Sequence, residues 1–361
     1  MLSFDKLGGK HTFVPREGVG MQREITASGD LLDARGRLAI SGWARKPLLK
    51  YERGRVAASA LRIKEWDYYE IVNPDYGIVL LAYDIGYQGR VVVKWMDFKA
   101  GTFEENGPTV WFPRGAMGLP PGSERGDIVF DRDGVRWACR RSPEGARAFE
   151  FSFPGFRAGA GISGEIELAP PRGNSIVNTI PFSRPSRFVY AEKINCLVPK
   201  GRVKVGSDYY TFTADNNSHG CLDWSRAAFP YHSEWRWCTV SGMVGGLPFG
   251  LNIDYGFGTE SSKSMIFNDG VGHHLDKATY TFDRADPMKP WVFTDNEARV
   301  ELALKPVCVE SGGTNYLVLR TSVLKVYGFF TGRVRLDDGR WIEVKESDRL
   351  FGSAEAVVNN W

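Results

Sequence analysis

The sequence lacks most of the features that assign a chain quickly. No stretch offers the ~20 uninterrupted apolar residues of a membrane span, and residues 1–20 hold no apolar signal-peptide core. A cytoplasmic protein with no integral membrane segment is expected. An excess of one charge is missing too: 46 basic against 43 acidic residues leave +3, no footprint for nucleic acid or an anionic surface. A neutral or weakly charged ligand is the better expectation. Cysteine is sparse, with five residues (Cys139, Cys196, Cys221, Cys238, Cys308), far apart and without the spacing of a zinc site. They read as small buried thiols in a reducing compartment.

Catalytic and cofactor signatures are equally scarce. There is no G-x-S-x-G elbow, no P-loop and no H-E-x-x-H. Gly159–Gly164 satisfies G-x-G-x-x-G, but it runs into the strand-like EIELAPP, where a dinucleotide needs a helix N-terminus. His273 and His274 are neighbours, so on a strand they point to opposite faces and cannot share a metal. No cofactor and no metal are expected.

Helical periodicity over ten residues is also hard to find, and 41 Gly with 19 Pro would interrupt most candidates. What is present is a succession of short alternating runs rich in Val, Ile, Tyr, Phe and Trp, closed by Gly/Asp turns, as in DIVFDRDGVRWACR and GRVRLDDGRWIEV. The fold class is all-β. At 361 residues, 43% hydrophobic and 25% charged, the chain can fill one large or two medium cores.

The pattern occurs twice. Trp43-Ala44-Arg45 returns as Trp224-Ser225-Arg226, and EWDYYEIV from Glu65 as EWRWCTVS from Glu234. The next strand ends on Asp84 in one copy and Asp254 in the other. IVFDRDGV around Phe130 matches MIFNDGV around Phe267, and EIELAPP around Glu167 matches VELALKP around Glu301. GRVKVGSDYYTF matches GRVRLDDGRWIEV, and the pairs His219-Gly220 and Phe351-Gly352 follow. Such a repeat sets the architecture before any single motif does. About eight antiparallel strands per copy close naturally into an up-and-down barrel that holds one small ligand. Residues 1–20 are an N-terminal extension, 21–218 the first barrel and 219–361 the second. The Gly- and Pro-rich stretches GTFEENGPTVWFPRGAMGLPPGSERG and PPRGNSIVNTIPFSRPS read as long loops, of a size that often covers a pocket.

At GWARKPLLKY, DWSRAAFPYHSEWRW and GRVRLDDGRWIEV the chain resembles the bacterial domain-of-unknown-function family 2804, from about residue 21 to the C-terminus. More distantly, D-W-x-R-x-x-F-P-x-x-x-x-W-x-W is similar to the (D/E)-x-W-G…W-x-W segment of tandem-lipocalin enzymes such as tocopherol cyclases, carotenoid 1,2-hydratases and pericyclase-type cyclases. Here Trp224-Ser225 stands where those enzymes have Trp-Gly. The resemblance implies two lipocalin-like barrels and a pocket for a hydrophobic small molecule. Activity does not follow from fold.

Differences between the copies mark candidate functional residues. Asp223 stands against Gly42, Trp237 against Tyr68, and His219 against Phe351. With Tyr231, His232 and Trp235 they bring a carboxyl, two imidazoles and several rings together; Trp224, Trp66 and Tyr68 add further ring surface. A carboxyl desolvated among rings would have a raised pKa and could protonate an alkene, enol or ether, while the rings steady a developing cation. Asp223, His219, Asp254 and Tyr255 are the catalytic candidates, with Asn252 sharing a strand face with Asp254. The alternative for Asp223 is a turn cap or an ion pair with Arg226, and Arg45, Arg226, Glu65 and Glu234, present in both copies, read as buried pairs closing barrel ends. Three functions fit: a cofactor-independent cyclase, hydratase or isomerase; a hydrophobic-ligand carrier; and a carbohydrate-active protein, for which paired acids roughly 5 to 10 Å apart would be needed.

Overall fold

A computed structural model describes residues 23–257, 263–316 and 318–361; the extension at 1–20 lies outside the described residues. Among those residues the chain is all-β, with four short 3₁₀ turns and no α-helix, so none long and apolar enough to cross a membrane. The first half contributes β1 (Gly42–Ala44), β2 (Ile63–Val72), β3 (Tyr76–Asp84), β4 (Gln88–Asp97), β5 (Thr102–Asn106), β6 (Ile128–Arg132), β7 (Val135–Arg141), β8 (Arg147–Phe153), β9 (Ile162–Ala169), β10 (Ile176–Pro181), β11 (Phe188–Val205), β12 (Asp208–Phe212) and β13 (His219–Ala228). The second contributes β14 (His232–Val244), β15 (Leu247–Tyr255), β16 (Met265–Asn268), β17 (Val271–His274), β18 (Ala278–Thr281), β19 (Trp291–Asp295), β20 (Val300–Tyr316), β21 (Leu319–Arg335), β22 (Trp341–Val344) and β23 (Phe351–Asn360).

Two strongly curled antiparallel sheets of similar size result, each a lipocalin-like half-barrel. The first runs β5-β4-β3-β2-β13-β11-β9-β8-β7-β6 and the second β17-β16-β15-β14-β23-β21-β20-β19-β18. Both paths stay open at their ends. Read side by side, they equate β2 with β14, β13 with β23 and β11 with β21, and the register agrees. Glu65 lies opposite Arg226 and Glu234 opposite Val358, each the eighth residue of its strand. Lys193 lies opposite Asp223 and Lys325 opposite Glu355, each acid the fifth residue of its strand. Gly201 and Gly332 both open hairpins, onto β12 and β22.

Three expectations are corrected by this topology. Trp43 sits on β1 and Trp224 on β13, both in the first sheet, so the two W-x-R triplets are not equivalent. Phe130 lies on β6 at one end of its sheet, whereas Phe267 lies on β16, the counterpart of β4; a short Asp-Gly hairpin fits many places. The boundary between halves falls between Ala228 and His232 rather than at 218, because β13 is hydrogen-bonded to β11 and β2 and completes the first sheet.

Strand alternation sorts side chains into three cores. Tyr69, Ile71, Leu222 and Trp224 point into the first half with Trp95 and Trp137. Cys238, Val240, Val326 and Ala354 point into the second with Trp291 and Phe330. The opposite faces of the same strands meet each other, where Val72, Phe98, Tyr327 and Phe351 form one apolar cluster and Phe182, Val189, Phe229 and Phe257 another. The expected PPRGNS loop clamps the halves together. The Asn174 N–H donates to Gly270 O at 2.9 Å and the Gly272 N–H to Asn174 Oδ1 at 2.9 Å. Gly173, at φ +101°, would place a Cβ 1.8 Å from Gly270 O, so no other residue fits.

Candidate functional site

Between the two apolar clusters the interface opens into a pocket of about 240 Å³ lined by Trp66, Tyr68, Leu81, Tyr83, Ile85, Asp223, Trp235, Trp237, Glu355 and Trp361. It lies between the half-barrels, not inside either one. Its walls follow the repeat: Trp66 and Trp235 are equivalent, as are Tyr68 and Trp237, whose rings meet edge to face with centroids 5.7 Å apart. The two acids are equivalent as well, Asp223 on β13 and Glu355 on β23.

Each acid has its own lysine across the ladder, and the two pairs behave differently. Lys193 Nζ is 2.6 Å from Asp223 Oδ2 and 3.3 Å from Asp254 Oδ2, and Asp254 is also paired with Lys263 at 2.7 Å. Burial pulls the Lys193 ammonium down, but Asp223 and Asp254 outweigh it and the net shift is upward. Lys325 instead leans away from its own acid: it is 2.7 Å from Glu70 Oε2 and 3.5 Å from Glu355 Oε2. Burial pushes the Glu70 carboxyl up, and Lys325 with hydrogen bonds from Tyr68 and Ser353 reverses this, leaving it below the ordinary value. Glu355 keeps one close donor, the Trp235 Nε1–H at 3.1 Å. Its burial, opposed by Lys325 and reinforced by Glu70 and Asp223, leaves its carboxyl above the ordinary range.

The expected site residues separate by strand parity. Asp223, Trp235, Trp237, Trp66 and Tyr68 line the pocket. Asp254 and Asn252 stand one layer behind: Asn252 accepts the Trp237 Nε1–H at 2.8 Å, and Asp254 shares Lys193 with Asp223. Trp224, next to Asp223, takes the other face and packs in the first core against Tyr190. Tyr255 likewise turns into the second half, its hydroxyl donating to Tyr280 O at 2.9 Å. Tyr231 and His232 are exposed, bonded to Val318 O and Asn360. Asp223 does not pair with Arg226, which lies on the opposite face and binds Asp67 at 2.8 Å. Of the four residues expected in buried pairs, Arg226 is buried with Asp67 and Glu65 is buried against Tyr51 and Arg53, whereas Glu234 is exposed and Arg45, half-buried, bonds Glu24 and Gly272 O.

Glu355, Lys193, Lys325 and Glu70 were missed. Counting four residues on from the His219/Phe351 match leads from Asp223 to Glu355, so the signal was there. His219 stands at the other end of the interface. Burial lowers it to about 4, and His274, stacked on Trp43 at 4.1 Å, is lowered to about 4 by burial first. Both imidazoles fold neutral, so their stability contribution is complete above the unfolded pKa of 6.5 and is lost as pH falls through about 4. Urea denaturation from pH 7 to pH 4 is expected to show a loss on the order of 2 kcal/mol for each, smaller in His219→Gln and His274→Gln.

The five cysteines are buried and free, and no cluster of three metal-ligating side chains occurs among the described residues. The profile of the family described as Domain of unknown function (DUF2804) matches residues 22–361. No curated protein matches by sequence. Solved structures similar to this chain include an AttH-type protein from Nitrosomonas europaea (12% identity, TM-score 0.47, 85% of this chain and 96% of that one), CghA (10%, 0.45, 92% and 97%) and kievitone hydratase from Nectria haematococca (10%, 0.43, 93% and 98%). Likeness at this level assigns no chemistry.

Proposed function

This chain belongs to the DUF2804 family, and from that premise, which fixes no activity, we propose a cofactor-independent enzyme that moves a proton onto a small, neutral, unsaturated molecule held between the half-barrels. The observation that carries the reading is the unlike state of two equivalent acid–lysine pairs. Asp223 is tied to Lys193 and serves as a fixed carboxylate; Glu355, whose lysine is turned toward Glu70, serves as the protonated partner. A carboxyl held in an ion pair and an equivalent one whose lysine is engaged elsewhere can divide the roles of base and acid.

In this reading the Glu355 carboxyl gives its proton to one carbon of an alkene or enol, whose π pair becomes the new C–H bond. The adjacent carbon becomes cationic, facing Trp66, Trp235 and the Asp223 carboxylate, which stabilise it. Collapse by proton loss gives an isomer, by internal attack a ring, and by water an alcohol; a proton released at this stage returns to the Glu355 carboxylate. At about 240 Å³ the pocket is below the ~300–1,000 Å³ of drug-sized sites, so the substrate is small or enters by one end.

The test is solvent labelling. Purified protein is incubated in D₂O with a panel of small polyenes and enols, and the recovered compounds are weighed by mass spectrometry. An enzyme of this type returns at least one compound carrying carbon-bound deuterium above the no-protein control. A carrier binds and returns the same compounds unlabelled, and that result would sink the proposal.

A further inference from the structure

At the far end of the interface is a second cavity, of about 410 Å³, walled by Pro170 and Asn174 of the first half and by Met243, Pro248 and Phe267 of the second. Its floor lies where the halves cease to match. In β21 and β23 the ladder passes without a break through Val326↔Ala354, Tyr327↔Ser353 and Gly328↔Gly352. In β11 and β13 it is interrupted between Ile194↔Leu222 and Leu197↔Gly220, leaving Asn195 and Cys196 opposite Cys221 alone. This is a β-bulge present in one copy only, and Cys196 within it takes φ +60°, the left-handed region that non-glycine residues occupy where surroundings impose it. Bulges re-aim side chains.

The bulge leaves two successive side chains, Asn195 and Cys196, on the cavity side, and Asn195 is buried there. Its Nδ2 lies 3.1 Å from Val240 O and 3.2 Å from Leu251 O, with the hydroxyls of Thr239 and Ser241 also in reach. Carbonyls only accept, so the amide orientation is fixed and Oδ1 faces away. Among the described residues no donor reaches that oxygen. A buried acceptor without a donor is costly, and such groups in functional cavities are completed by a ligand or a water. The rest of the wall offers no buried charge: the charged residues on it, Arg172 and Asp269, are exposed.

We propose that this cavity is a second ligand site, distinct from the aromatic pocket, which takes a neutral apolar molecule whose hydroxyl donates to Asn195 Oδ1. Its occupant needs no acid, so the site stands whether or not the proton-transfer reading survives.

Calorimetric titration with 1-octanol and with 1-methoxyheptane, which has the same number of non-hydrogen atoms but no donor, tests it. The alcohol is expected to bind about ten-fold more tightly than the ether, the worth of one hydrogen bond to an otherwise unsatisfied group. Val198→Trp, from a rim residue 44% exposed, is expected to weaken the alcohol at least ten-fold with an unchanged melting temperature; Met243→Trp serves if that variant fails to fold. Trp235→Ala, in the aromatic pocket, is expected to leave alcohol binding as it was. Equal affinity for the two probes would mean a water already completes Asn195. That result, binding abolished by Trp235→Ala but untouched by the rim variants, or no binding up to the solubility limit of 1-octanol would each overturn the assignment.

Discussion

Replacing Glu355 by Gln is expected to lower turnover by about 10²–10⁴ while leaving substrate affinity and melting temperature nearly unchanged, because one positioned general acid is worth about that much and the amide keeps the shape of the carboxyl. The Trp235 Nε1–H at 3.1 Å still has an oxygen to meet in the variant, so the pocket wall is retained. The pH profile supplies a second readout. Burial raises the Glu355 carboxyl above its ordinary value, so the active protonated form is full at low pH and is lost as pH rises through the raised value. A falling limb above the ordinary carboxylate range in the wild type, absent from the residual activity of Glu355→Gln, is the expected signature. Asp223→Asn should behave differently, since the group it removes is the charge facing Lys193: binding and stability move with rate. If Glu355→Gln turned over at the wild-type rate, the acid would have to be sought elsewhere.

Lys325→Met is expected to cost about 3–5 kcal/mol of stability, the usual result of removing one partner from a buried ion pair. Glu70 is 2% exposed and faces Lys325 at 2.7 Å; without the ammonium its carboxylate retains only hydroxyl donors, from Tyr68, Tyr327 and Ser353. In the wild type Glu70 is held below its ordinary value, so its contribution is complete above the unfolded pKa and is lost as pH falls through the lowered one. In the variant burial pushes the same carboxyl up, opposed only by the hydroxyl donors that remain. The gap between the two proteins should therefore narrow as pH is lowered and Glu70 protonates in the variant first. Glu70→Gln combined with Lys325→Met should recover most of the loss, since no bare charge remains. Chemical denaturation of the four proteins at two pH values checks this, and a double variant as unstable as Lys325→Met would show that packing rather than charge is responsible.

Much of the architecture was legible because strands advertise themselves by period two and duplicated strands by shared punctuation. EWDYYEIV and EWRWCTVS fall on equivalent strands in the same register, as do the two GRV hairpins. The W-x-R triplets misled because three residues fit an edge strand of one sheet and a central strand of the same sheet alike, and that error moved the boundary ten residues early. Parity alone separates Asp223 from Trp224, but only once the strand is known to be buried on both faces. Every residue of β13 after His219 is buried, so no polar alternation shows which face meets the other half. Lys193 was hidden for the same reason, one of two adjacent charges, with Glu192, inside the mostly apolar run FVYAEKINCLV.

The pairing of Lys193 with Asp223 and of Lys325 with Glu355 at matching ladder positions has a consequence for what a single gene can encode. Suppose one half-barrel formed a two-fold dimer with a second copy of itself. Its cleft would lie on the symmetry axis, and both acids would be the same residue in the same surroundings. Whatever raised one carboxyl would raise the other, and donor and acceptor of a proton could not be distinguished. Joining the two halves in one chain lifts that restriction: Glu70 of the first half stands where the second has Thr239, and Asp254 of the second stands where the first has Leu81. A symmetric cleft can thus be polarised by one acid in each half that the other half does not repeat.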